Sequence, residues 1–195
     1  EEKYGNTAWT VYPKIDAETH ENKLGELTCD AEVLPTELSL IEKKYMVSRN
    51  EFYIAVTLLA IAISTKSNDV RVSWIYNGRD DLGASSSIGL LFRDLPVALH
   101  LKNETTLRDV FSEVHEQVQN GIKYSCYPYN QINAPAVIDD DTCILYQSNL
   151  RDIGDFGGLP VKQMQIRQNK AASQAVLDIQ ILDGESGLQY AFDYA

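Results

Sequence analysis

Val70-Arg71-Val72-Ser73-Trp74-Ile75-Tyr76, followed by Asn77-Gly78-Arg79, is the stretch that decides the fold. Its β-branched and aromatic residues suit a pleated, half-buried surface, so Val70–Tyr76 is expected as a strand ending at the turn dipeptide Asn77-Gly78. Just upstream, Ser48 and Glu51 have capping-box spacing, which opens a helix. The body of that helix, Phe52 to Ile63, is apolar on nearly every face, and such a helix is expected to lie buried between layers. A buried helix feeding a β-branched strand is the signature of a layered α/β domain.

The surrounding sequence extends this reading. Ile88 to Leu101 is a long apolar stretch broken by Arg93-Asp94 and by Pro96. A proline removes a ladder donor, so a strand here is bulged or lies at an edge. Thr106 and Asp109 form a second capping-box spacing, and Leu107, Val110, Phe111, Val114, Val118 and Ile122 then recur every three or four residues. That is an amphipathic helix with one face on a sheet. Further strands are expected at Leu27–Leu34, Thr142–Tyr146, Val161–Gln168, Ala175–Leu182 and Leu188–Tyr194. Asp183-Gly184 with Gly187 supplies a hairpin turn between the last two. Pro35 precedes a short helix with Thr36 as its N-cap and Glu37 in its first turn. The expected class is α/β, a mixed β-sheet with helices packed on one face. Residues 1–195 form a single domain with a linker-like start over 1–23.

Seventeen basic residues against 28 acidic give a net charge of −11. Such a surface repels phosphate backbones and anionic headgroups, so neither nucleic acid nor a membrane is expected as a partner. The longest mostly apolar run, Ile54 to Ile63, falls well short of the roughly 20 residues a membrane span needs. No basic-then-apolar leader opens at Glu1-Glu2-Lys3, and a cytoplasmic location is expected. Cys29, Cys126 and Cys143 are far apart and lack metal-ligand spacing, which fits reduced, mostly buried thiols. The alternative, Cys126 as a nucleophile, has no nearby histidine in sequence to serve it. Asp139-Asp140-Asp141 reads as a solvated loop rather than a cation site, because adjacent side chains seldom converge on one ion.

The sequence offers few candidates for catalytic chemistry. Of the histidines, His20, His100 and His115, none are adjacent. His115 falls on the polar flank of its helix, expected as a solvated face, and His100 is expected to point outward from a strand end. Ser85-Ser86-Ser87 offers hydroxyls without a base and reads as a flexible loop. Arg79 stands out. At a strand end beside a tight turn, its planar fork is suited to a bidentate grip on a carboxylate. A plain surface ion pair with Asp80 or Asp81 is the competing reading.

In this order the elements resemble the C-terminal lobe of nonribosomal peptide synthetase condensation domains, which share the chloramphenicol-acetyltransferase-like fold. The match is carried by the helix from Asn50 to Ile63 with the strand and turn through Arg79, and by Ile88-Gly89-Leu90-Leu91-Phe92-Arg93-Asp94-Leu95-Pro96-Val97, similar to the family's Gly-x-Phe-Val-Asn-Thr-x-Pro strand. It is carried also by the amphipathic helix running into Tyr124-Ser125-Cys126-Tyr127-Pro128-Tyr129, similar to the family's His-Gln-Asp-x-Pro-Phe segment. Cys143-Ile144-Leu145-Tyr146-Gln147-Ser148-Asn149 resembles the strand that follows. Arg93-Asp94 replaces the usual Asn-Thr, and Lys123–Tyr127 lacks the His-Gln-Asp.

The resemblance implies a lobe cut short at its C-terminal end, paired with an N-terminal lobe around a tunnel entered by carrier-bound substrates. The parent would form an amide bond between aminoacyl or peptidyl thioesters in antibiotic-type secondary metabolism. Its catalytic His-His-x-x-x-Asp-Gly motif belongs to the other lobe and is absent here, so no catalytic residue and no metal is expected in this chain. The resemblance makes Arg79 the partner of that motif's Asp across the lobes, supported by Asn77 and Gly78. It makes Ser86, Gly89, Phe92, Arg93 and Asp94 tunnel or floor residues. Expected partners are the N-terminal lobe and peptidyl carrier proteins; no cofactor is bound directly, only the carriers' phosphopantetheine arms passing through. The alternatives are the same lobe of an epimerisation or heterocyclisation relative, or a non-catalytic docking module.

Overall fold

A computed structural model describes residues 25–31, 35–79, 83–84, 86–127, 142–150, 155–160, 177–184 and 187–194. Its elements are β1 (Gly25–Asp30), α1 (Pro35–Tyr45), α2 (Arg49–Thr65), β2 (Asp69–Tyr76), β3 (Arg93–His100), α3 (Leu107–Lys123), β4 (Thr142–Leu150), β5 (Asp155–Phe156), β6 (Leu159–Pro160), β7 (Leu177–Gly184) and β8 (Gly187–Tyr194). The start over 1–23, Asp80, Asp81, Ser85, Pro128, Tyr129, the Asp139–Asp141 run and the expected strand at Val161–Gln168 lie outside the described residues.

Both capping boxes form. The Ser48 backbone N–H donates to Glu51 Oε2 at 2.7 Å while Ser48 Oγ accepts from the Glu51 N–H, which opens α2. Thr106 and Asp109 do the same for α3. Each box satisfies helix-end donors that would otherwise have no partner. α1 departs from expectation. It begins at Pro35, so Thr36 is its second residue and not its cap. Proline is at home there because the missing N–H belongs to the first turn, which has no helical acceptor for it.

One mixed sheet runs in the order β1-β8-β7-β4-β2-β3, parallel at β2–β4 and β4–β7 and antiparallel elsewhere. The β7–β8 hairpin closes with Gly184 opposite Gly187, as its turn residues indicate. Helices α2 and α3 cover one face over β2 and β3, and α2 also reaches β4. Val70, Val72, Trp74, Val97, Ile144, Ile179 and Ile181 meet Ile54, Leu58, Phe111 and Val114 in a single core. Burying a side chain such as Leu58 completely contributes about 1.5–3 kcal/mol.

Contrary to the all-round burial expected of α2, Val56, Ala60 and Ile63 are exposed. The sheet takes one side of this helix and α1 and α3 flank it, so its outer stripe faces away from every described element. Another correction concerns the thiols. All three are free, but Cys29 sits exposed on the edge strand β1, Cys126 is exposed in the turn after α3, and Cys143 is half-buried.

β3 shows how an edge strand is made safe. Gln117 of α3 donates from Nε2 to the Ala98 carbonyl at 2.7 Å, and its Oε1 accepts from the Ala98 N–H at 3.0 Å. The side-chain amide thus stands in for a neighbouring strand. Because the Ala98 groups point away from β2, those of Pro96, two residues earlier, do too. Its missing N–H therefore costs no ladder bond, and β2 and β3 pair from Asp69↔His100 to Tyr76↔Arg93 without a register shift. Of the two readings of Pro96, the edge position holds and the bulge does not. The strand is also shorter than the apolar stretch: residues 88–92 lie outside the sheet, with Ile88, Leu90 and Phe92 exposed.

Candidate functional site

The corner where β2 ends and β3 begins gathers most of the residues singled out in the sequence. Gly78 is buried with φ +66°, a left-handed conformation that glycine adopts without steric cost. A β-carbon here would stand 2.6 Å from Arg93 Nη1 and 3.0 Å from the Leu91 carbonyl oxygen, so the Arg93 guanidinium lies across the space that a side chain would fill. Tyr76 is paired with Arg93 and Ile75 with Asp94, which fixes the register at the corner.

Arg79 turns back onto its own loop. Nη1 donates to the Ser87 carbonyl and Nη2 to the Gly89 carbonyl, both at 2.6 Å. Two further bonds brace the same loop, Ala84 N–H to the Arg79 carbonyl and Ser87 N–H to the Ala84 carbonyl, each at 2.9 Å. The guanidinium fork therefore acts as the missing strand neighbour of the segment that presents Ile88, Leu90 and Phe92 to solvent. Among the described residues Arg79 grips no carboxylate. Its surface-pair candidates, Asp80 and Asp81, are outside the described residues.

Gly78, Arg79, Gly89 and Arg93 are brought into one cluster, with Phe92 and Asp94 adjoining it on the chain. Asn77 and Ser86 are exposed at its rim. Asp94 has its own polar partner.

Two polar nodes escaped the sequence reading. Glu51, 2% exposed, accepts from Ser48, from Gln119 Nε2 at 3.2 Å, and lies 3.0 Å from His115 Nδ1. His115 is exposed, as expected of the helix's polar flank, and its ring also reaches the buried Glu51 carboxylate. Only the Ser48 contact is visible from spacing. The second node joins the N-terminus of α2 to β7. Arg49 bonds Glu42 and, at 3.1 Å, Asp183 Oδ2, which also accepts from the Tyr146 hydroxyl at 3.0 Å. Burial, reinforced by Asp183, pushes the Tyr146 phenol up to about 12. Burial also raises the Tyr53 phenol, with Tyr190 adding to the effect. His100 does point outward, with Nδ1 2.6 Å from Asp69 Oδ1.

Among the described residues no three His, Cys, Asp or Glu side chains gather as a metal-ligand set. No single described helix is long and apolar enough to cross a membrane.

Comparison with known proteins gives this geometry its context. The family model described as "Condensation domain" matches residues 10–195. No curated relative matches the sequence. Among solved structures, the condensation domain of the monacolin K polyketide synthase MokA is similar with a TM-score of 0.71 at 12% identity, over 93% of this chain and 45% of that one. The epimerization domain from the third module of tyrocidine synthetase B gives 0.62 at 17%, over 93% and 44%. The first condensation domain of the CDA synthetase gives 0.63 at 19%, over 89% and 39%. The chain thus spans less than half the length of each of these structures.

Proposed function

We propose, from the premise that this chain belongs to the condensation-domain family, that it is the C-terminal lobe of an enzyme joining two carrier-bound aminoacyl or peptidyl thioesters. In that reaction the acceptor amine attacks the donor thioester carbonyl, the C–N bond forms, and the C–S bond breaks with the thiolate taking up a proton. The histidine that handles the amine proton resides in the remaining part of the domain. This chain contributes one wall of the reaction channel, with the β2–β3 corner facing it. The phosphopantetheine arms of peptidyl carrier proteins bring the substrates, and the setting is a cytoplasmic, nonribosomal pathway of secondary metabolism. The free thiols at Cys29 and Cys126 suit a reducing compartment.

The observation that carries this reading is the corner itself. The two segments most similar to the family's motifs, Asn77–Arg79 and Ile88–Val97, meet there around Gly78 and Arg93, and they leave Ile88, Leu90 and Phe92 uncovered. Large apolar side chains exposed together on a braced segment mark a surface that another part of a protein or a ligand covers.

A two-carrier assay tests the proposal. The complete protein should transfer the donor acyl group to the acceptor amine, and this chain alone should not. Amide formation by this chain alone would overturn the division of labour. Failure of the complete protein with every donor, while carrier proteins still bind, would favour the docking-module reading, which the Arg93-Asp94 and Lys123–Tyr127 departures already support.

A further inference from the structure

Arg79 and Arg93 share one corner but differ in what they hold. Arg79 has both terminal nitrogens engaged by the Ser87 and Gly89 carbonyls. Arg93 is half-buried across Gly78 and has neither a hydrogen-bond partner nor a carboxylate among the described residues. In a chain with 28 acidic and 17 basic residues, a partly desolvated guanidinium with no counter-charge among the described residues is conspicuous. Its neighbour Asp94 faces the opposite way, as alternate residues of a strand do, and has an interaction of its own. Arg93 shares its strand face with Leu95, Val97 and Leu99, and so stands at the end of the core where β3 opens toward solvent. In the segment that leads into this strand, Leu90 and Phe92 are exposed. A planar fork of five donors with no partner among the described residues is complementary to an oxyanion, and the exposed Leu90 and Phe92 of the preceding segment suit the carbon chain that carries one.

We propose that Arg93 is a specificity-determining residue that recognises a carboxylate on the acyl group presented to this corner, while Arg79 holds the loop beneath it in shape. The inference rests on the reading that the β2–β3 corner faces the reaction channel, and it names a substrate class for that site. It also assigns the cation available to an anion beyond this chain to Arg93 instead of Arg79.

The test uses the complete protein with succinyl and butyryl thioesters, which differ in a terminal carboxylate, each on pantetheine and on phosphopantetheine. Wild type should prefer succinyl over butyryl by about tenfold or more, the discrimination one charged hydrogen-bonding site supplies. Arg93→Gln should bring the ratio close to one, and Arg93→Lys should retain part of it. A wild-type ratio near one, or a ratio unchanged in Arg93→Gln, overturns the proposal. A preference that follows the phosphate of the arm and not the acyl carboxylate overturns it too. A second arm needs no turnover: monomethyl succinate, but not butyramide, should slow phenylglyoxal modification of Arg93. If no thioester is turned over yet Arg93 is shielded, the anion site stands and the proposed reaction falls. If turnover proceeds without preference or shielding, the reaction stands and this inference falls.

Discussion

Replacing Arg79 separates two accounts of the corner by magnitude and by place. As a loop clamp, Arg79 makes two 2.6 Å bonds to the carbonyls of Ser87 and Gly89, at a half-exposed site where water can substitute for the lost donors. Hydrogen bonds to a charged group are worth about 1.5–3 kcal/mol each when buried, and solvent access reduces this, so Arg79→Ala should cost about 1–2 kcal/mol in total. As a partner for a buried aspartate in the other lobe, it would strand a charge on removal, at about 3–5 kcal/mol. The clamp also predicts where the damage falls. Amide exchange over residues 86–92 should accelerate in Arg79→Ala of the complete protein, while the amides of β2 and β3 from Val70 to Val72 and Val97 to Leu99 stay protected. Arg79→Lys should behave almost like alanine, because one ammonium cannot span two carbonyls as the fork does. Hydrogen exchange with a denaturation curve reads both quantities. Unchanged exchange over 86–92, together with a loss above about 3 kcal/mol, would refute the clamp and favour the cross-lobe pairing.

Other outcomes follow from the same geometry. Gln117→Leu leaves the buried Ala98 N–H and C=O without partners, each worth about 1–3 kcal/mol, while the new leucine recovers part of that by apolar burial. A net loss of about 1–4 kcal/mol is expected in urea denaturation, and stability within about 0.5 kcal/mol of wild type would refute the edge-clamp account. Tyr146 ionises near 10 when unfolded but only at about 12 when folded, so its contribution is complete below pH 10 and is lost as pH rises toward 12. Tyr146→Phe should flatten the alkaline limb of a stability–pH profile, followed by tyrosinate absorbance. This chain by itself should associate through the uncovered segment at 88–92, since inter-domain faces typically bury roughly 600–1,500 Å². Leu90→Ser should weaken that association in sedimentation experiments, and strictly monomeric behaviour of the unmodified chain at high concentration would count against it.

What was legible in the sequence was local. Ser48 with Glu51, and Thr106 with Asp109, satisfy their donors within a single turn, so spacing alone reveals them. Gly78 announces its positive φ, and the pairing of Gly184 with Gly187 follows from the turn residues. The apolar stretch from Ile88 does not mark where pairing begins, at Arg93, because alternation looks the same whether a strand is paired or only extended. Contacts between distant positions left no trace. Arg49 meets Asp183 across 134 residues, and His115 meets Glu51 across 64, and nothing in either neighbourhood names the other.

The two arginines show why the same limit applies to function. A strand-end arginine beside a glycine turn invites a search for a carboxylate, since a carboxylate is a partner that sequence can name. Arg79 found backbone carbonyls instead, and every residue carries one, so no residue pattern could mark Ser87 and Gly89 as acceptors. Arg93, conspicuous in the sequence only as a departure from Asn-Thr, gained its distinction from the fold. The glycine at 78 clears room for its guanidinium, and the register Tyr76↔Arg93 holds it there. A cation's meaning depends on whether the surrounding backbone satisfies it, which is a property of the folded chain. At this corner the backbone satisfies the Arg79 guanidinium, while that of Arg93 has no partner among the described residues.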